Sequence, residues 1–131
     1  MERILNLTQH KATPSQINEG VVEPDEEIKA RIRRLLTFDE LPTVKEIERR
    51  AEELAKIVEQ LGFKKAMIGG APYLIVPLEE ALLWRGIQPL YAFSKRQVEE
   101  QQLPDGTVIK KQIFKHLGFI EGGKWRYKFP R

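Results

Sequence analysis

The sequence contains no cysteine and only two histidines, His10 and His116. The first absence excludes a disulfide scaffold, a thiolate metal site and a cysteine nucleophile. The second argues against a histidine-rich metal site, although a carboxylate site for Mg²⁺ would need no histidine. Long apolar runs are missing too: no stretch approaches the ~20 residues that cross a bilayer. The opening residues Met1-Glu2-Arg3-Ile4-Leu5-Asn6 lack the extended apolar run of a secretion signal. These absences lead us to expect a protein of the reducing cytoplasm with no membrane contact, no metal site and no bound cofactor. Internal repeats, low-complexity tracts and long linkers are also lacking. So are the Gly-x-Ser-x-Gly elbow of serine hydrolases and the His-Glu-x-x-His of zinc proteases.

What remains is 131 residues, 41% hydrophobic and 31% charged. That is the composition of a folded chain, and we expect one α/β domain over residues 1–131. The net charge is +3 but unevenly spread: residues 1–94 carry 13 Lys/Arg against 15 Asp/Glu, and residues 95–131 carry 9 against 4. A basic C-terminal quarter can attract phosphates, or it can be an ordinary solvated strand face.

Apolar patterning outlines the elements. Ile4 to Thr8 has no helical spacing and reads as a first strand. Thr13-Pro14-Ser15-Gln16 carries a capping box with proline at the first helical position, and Gly20 ends that short helix. A helix over Pro24–Leu36 has acids in its first turn and Arg33 and Arg34 in its last, complementing the helix dipole. Thr43-Val44-Lys45-Glu46 is a second capping box. It opens a helix whose Val44, Ile47, Ala51, Leu54, Val58 and Leu61 form one stripe, either core or a partner face. Lys65–Ile68 is a second strand, and Gly69-Gly70-Ala71 turns into a helix over Pro72–Trp84, where Pro77 predicts a kink or a break. Pro89–Phe93 is a third strand. Pro104-Asp105-Gly106 then joins Gln97–Leu103 to Thr107–Phe114 as a hairpin. Lys124 to Phe129 alternates basic and aromatic residues like one more edge strand. The order predicts a Rossmann-like, three-layer α/β domain with a small, mainly parallel sheet and a C-terminal antiparallel hairpin.

Open parallel sheets bind ligands beyond the carboxyl ends of their strands. Three segments fall there: Thr8-Gln9-His10-Lys11, Gly69-Gly70-Ala71 and Ser94-Lys95-Arg96. His10 can serve as acid or base near neutral pH, and Lys11 beside it can stabilise charge, so these two are the candidate catalytic pair. Thr8, Gly69, Gly70, Ser94, Lys95 and Arg96 are candidate ligand-binding residues: a hydroxyl, a turn that lets backbone approach an anion, and a cationic clamp. Each has a plainer reading as well. Paired glycines serve many tight turns, and cationic loops are common on surfaces. His116, after the hairpin strand, is a lesser candidate. Glu99 and Glu100 opposite Lys110 and Lys111 are explained by cross-strand pairing.

Several segments resemble a family of small uncharacterised proteins of bacteria and their phages. They include Asn6 to Thr13, Leu36 to Pro42, Met67 to Leu74, Tyr91 to Ser94, Pro104-Asp105-Gly106 and Phe114 to Phe119. That family implies no activity. Leu7-Thr8-Gln9-His10 with Thr13-Pro14-Ser15-Gln16 also resembles the first strand and helix start of small CRISPR-associated ring nucleases. Those have a Rossmann-like (CARF-like) fold, bind cyclic oligoadenylate across a dimer two-fold and cleave it without metal. The resemblance implies attack by a ribose 2′-hydroxyl on the adjacent phosphate, with His10 or Lys11 stabilising or protonating. Gly69, Gly70 and Ser94 would hold phosphate and base.

Three functional readings follow. The first is a nucleotide-binding domain, a ring nuclease or sensor of a cyclic oligonucleotide, acting as a homodimer. The second is a non-enzymatic accessory protein that binds a protein partner through the helix over 44–61 or the basic tail. The third is single-stranded nucleic-acid binding by the basic C-terminal segment, with Trp125, Tyr127 and Phe129 as stacking platforms.

Overall fold

The computed structural model describes residues 2–124. Its elements run β1 (Ile4–Leu7), α1 (Pro14–Asn18), β2 (Val21–Val22), α2 (Glu26–Leu36), α3 (Val44–Gln60), β3 (Lys65–Ile68), α4 (Pro72–Trp84), β4 (Gln88–Gln102) and β5 (Val108–Glu121). One five-stranded sheet has the order β2-β1-β3-β4-β5. The first three pairings are parallel and β4–β5 is antiparallel. This is the mixed, mainly parallel α/β sheet with a terminal hairpin that the pattern predicts.

β1 alternates its side chains between two cores. Leu5 and Leu7 join Ala66, Ile68 and the inner faces of α2, α3 and α4. Ile4 packs on the opposite side with Ala12, Val21, Met67 and Leu90. Leu5, Leu7, Leu54, Leu74, Leu78 and Leu82 are each fully buried. At about 2–3 kcal/mol per buried leucine, this layer is the main cohesive force on that face. The stripe on α3 is core at Ala51, Leu54 and Val58, while its ends, Val44 and Leu61, are exposed.

The helix starts follow their caps. Thr13 and Gln16 form a reciprocal capping box. Asp25 accepts from the Ile28 N–H, so α2 begins after Pro24, at Glu26. The expected second box is only half made. Thr43 accepts from the Glu46 N–H, but the Glu46 carboxylate turns to Arg49 and Arg50. Those two guanidiniums hold Glu46 down to about 2. Arg50 also donates to the Thr37 carbonyl and lies 4.2 Å over the Phe38 ring, which fixes the connector between α2 and α3.

Four expectations are corrected. Val21–Val22 is a strand, too short for any periodicity to reveal. α4 runs through Pro77 without a break, and of the two expected outcomes the break is the one overturned. The carbonyl that loses its donor there is that of Tyr73, in the half-exposed first turn, where water can serve it. The second capping box lacks its reciprocal half. Finally, Ser94-Lys95-Arg96 is no turn: β4 continues through it to Gln102, paired throughout with β5. Cross-strand pairing at Glu99–Lys111 and Glu100–Lys110 is as expected. The basic-aromatic tail after Lys124 lies outside the described residues.

Candidate functional site

The strand order places a topological switch point beside β1. The chain leaves β1 for β2 on one side and returns to β3 on the other. Chain segments leaving such neighbours diverge and leave a crevice at the carboxyl ends. Here that crevice is a cleft of about 450 Å³. Thr8, Gln9, His10 and Lys11 form one wall, and Gly69, Gly70 and Ala71 form another. Leu36, Met67, Ile68, Tyr91 and Ala92 supply the apolar part, with Thr13 and Gln16 at the α1 side.

Asn6 organises the first wall. It is 2% exposed inside an otherwise apolar strand. A buried amide must be satisfied, and this one is. Its Nδ2 donates to the His10 carbonyl at 2.8 Å and to Glu23 Oε1 at 2.7 Å. Its Oδ1 accepts from the Thr8 N–H and hydroxyl, at 3.0 and 2.7 Å. Glu23 Oε1 accepts the Ala12 N–H at 2.7 Å, and Lys29 pairs with Glu23 Oε2 at 3.1 Å. Burial pushes the Glu23 carboxyl up, but the Ala12 N–H, the Asn6 amide and Lys29 together outweigh it and hold it below its ordinary value. Gln9 ties the loop to the end of α2 through the Thr37 hydroxyl at 3.2 Å. The loop 8–12 is therefore anchored at both ends, while the His10 and Lys11 side chains remain exposed.

The second wall depends on glycine at one position. Gly70 has φ +139°, a conformation that side-chain-bearing residues rarely adopt. Gly69 is different: a Cβ there would meet the Thr8 methyl at 3.5 Å, ordinary contact. The first turn of α4 follows at once, with Pro72 inside it and no side-chain cap. Pro72 has no N–H and the Leu74 N–H bonds to the Ala71 carbonyl, so the cleft side of this end is the backbone of the Gly69–Ala71 turn rather than the helix's own first turn.

The loop 8–11 also lines a smaller cavity of about 280 Å³ behind it, with Asn6, Glu23, Lys29 and Arg33. Lys11, Lys29 and Arg33 thus lie around one short loop. Among the described residues, no three His, Asp or Glu side chains gather closely enough to hold a metal ion. No helix among them is long and apolar enough to cross a membrane.

Five candidate residues share the cleft: Thr8, His10, Lys11, Gly69 and Gly70. Thr8 contributes mainly to the loop itself, because its hydroxyl is engaged with Asn6 and with the His10 N–H. Ser94, Lys95 and Arg96 are not brought there. They lie out along the hairpin, opposite His116, Lys115 and Phe114. Arg96 instead sits 5.4 Å over the Phe114 ring. His116 is also elsewhere. It is a buried β5 residue, its ring tilted 57° to that of Phe119 at 4.8 Å between centroids, with Nε2 at 3.3 Å from a Glu19 carboxylate oxygen. That contact lacks hydrogen-bond geometry, and neither ring nitrogen makes a hydrogen bond.

Sequence reasoning missed Asn6, Glu23, Leu36 and Tyr91 as builders of the site. An asparagine inside Ile-Leu-Asn-Leu is a legible signal, since a polar residue among buried strand neighbours needs a partner. Tyr91 gave no such sign. Its hydroxyl donates to the buried carboxylate of Glu79 from α4.

A family model described as "Uncharacterized protein MJ1673 family" matches residues 2–120. No curated protein and no solved structure matches the chain.

Proposed function

The chain belongs to the MJ1673 family, and we propose that it binds a small phosphate-bearing ligand of nucleotide type in the cleft at the β1–β3 switch point. The observation that carries this reading is the convergence of Lys11, His10 and the Gly69–Ala71 turn on one cleft. A cation, an imidazole and a glycine turn that lets backbone approach an anion suit a phosphate. The apolar side formed by Leu36, Met67, Ile68 and Ala92 suits a flat base. A volume of about 450 Å³ is in the range of small-molecule sites. His10 and Lys11 are the groups that would act on a phosphodiester if the ligand has one. This finer reading is the one that the resemblance to ring nucleases implies.

Thermal-shift titration with inorganic phosphate, mononucleotides, dinucleotides and cyclic oligoadenylates tests the proposal. A ligand at about 100 times its Kd adds about 2.7 kcal/mol, a Tm rise of roughly 10 °C for a chain of this size. The expected result is such a rise for at least one nucleotide, lost in Lys11→Ala with the unliganded Tm unchanged. Chromatography of the same mixtures reads cleavage. If neither phosphate nor any nucleotide shifts the Tm, the reading fails.

A further inference from the structure

β4 outruns its parallel neighbour. β3 pairs with it only at Gln88, Pro89 and Leu90, yet β4 continues to Gln102. Beyond Leu90 its pairing partner among the described residues is β5 alone. Among the described residues the result is a long two-stranded arm with an open edge on the β3 side. Such a ribbon is marginal by itself in water, and an uncovered edge invites another strand. The arm also exposes apolar side chains on one face: Val98 at 58%, Phe114 at 66% and Val108 at 55%.

We propose that this edge is the dimer interface: two copies of the chain pair antiparallel through β4, on a two-fold axis at Val98. Symmetry restricts the register. A two-fold normal to the sheet keeps each side chain on its own face, so paired residue numbers must add to an even total. An axis at Val98 sets Arg96 opposite the partner's Glu100, twice, with the two Val98 side chains meeting between them. Lys95 faces Lys115 within its own arm, a like-charge pair. In the dimer it gains the partner's Glu99 on the diagonal. The charge order Lys95-Arg96 … Glu99-Glu100 is therefore complementary to itself when reversed. β5 is not: it carries Lys110, Lys111 and Lys115 with Glu121 as its one acid, so in no register can each lysine meet an acid of the partner's β5. Charge selects the β4 edge and a second copy as its occupant.

The same register reaches the cleft. Ser94 stands opposite the partner's Gln102, so the turn that follows in the partner arrives beside Ala92 and Tyr91, which line the cleft. Each copy then covers the other's site with its hairpin turn. The dimer does not rest on the identity of the ligand, and each idea can fail without the other.

Sedimentation equilibrium of the full chain should give twice the chain mass. Val98→Glu and Val98→Lys each place two like charges at the axis, and each variant alone should be monomeric with an unchanged circular dichroism spectrum. Mixed in equal amounts they should restore the doubled mass, because Glu now meets Lys across the axis. A monomeric wild type at protein concentrations of about 100 µM overturns the proposal. So does a Val98→Glu variant that stays dimeric, or a mixture that stays monomeric.

Discussion

Asn6 and Glu23 stand 17 positions apart in the chain and meet at 2.7 Å, the amide donating to the carboxylate. Through this contact a strand interior and the loop after it are tied to the connector between β2 and α2, which Lys29 of α2 also grips. Glu23 accepts the Ala12 N–H with the same oxygen, so the loop carrying His10 and Lys11 is held at both ends. The chemistry of the wall rests on a residue that never faces the cleft.

Replacing Asn6 with Ala should therefore cost more than an average core polar residue. It takes the acceptor from the Thr8 N–H and removes one donor each from the His10 carbonyl, which keeps the Thr8 hydroxyl, and from the Glu23 carboxylate, which keeps the Ala12 N–H and Lys29. We expect a loss of about 1–3 kcal/mol in urea unfolding, the cost of one orphaned buried group with two weakened neighbours. Affinity for the cleft ligand should fall with it. A loss under about 0.5 kcal/mol would mean that the loop is held by something else.

The two glycines of the second wall should behave differently. Gly70→Ala forces a side chain into φ +139° and should destabilise by about 1–3 kcal/mol. Gly69→Ala adds a methyl at ordinary contact distance from Thr8 and should leave the Tm close to wild type. Equal effects from the two variants would contradict this assignment.

The acid limb of stability follows from Glu23 and Glu46, both of which are held below their ordinary values when folded. For carboxylates of this kind, the stabilisation is fully present above the unfolded pKa and is lost as pH falls through the folded one. Stability should be level above about pH 5 and decline from there toward about 2, the value of Glu46. The Glu46 side chain is one-third exposed, so its share is screened by water and sensitive to salt. Glu23→Gln should flatten the upper part of the limb. An unchanged acid limb in that variant would remove Glu23 from the account.

Much of the architecture is legible from local pattern. β3 and α4 begin and end where the apolar run, Gly69-Gly70 and Gly86 place them. Thr13, Asp25 and Thr43 each sit at a helix start, because a side-chain oxygen there meets an otherwise unpaired N–H. Local pattern failed where pairing partners decide. Ser94-Lys95-Arg96 looks like a polar turn, but a strand needs no buried face if a neighbour pairs with one of its edges. β5 does so across the whole stretch. Val21–Val22 is two residues long and exists only because Ile4 and Leu5 lie alongside.

The sequence by itself determined the four helices, the strands β1 and β3 and which chemical groups follow those two strands, because capping, glycine turns and apolar spacing act over a few residues. Only the tertiary structure decided which of those groups meet. The order β2-β1-β3 opens the crevice that joins Lys11 and His10 to Gly69 and Gly70, and the length of β4 carries Ser94, Lys95 and Arg96 away from it. Strand order and strand length are set by pairing between distant segments, which no local window contains.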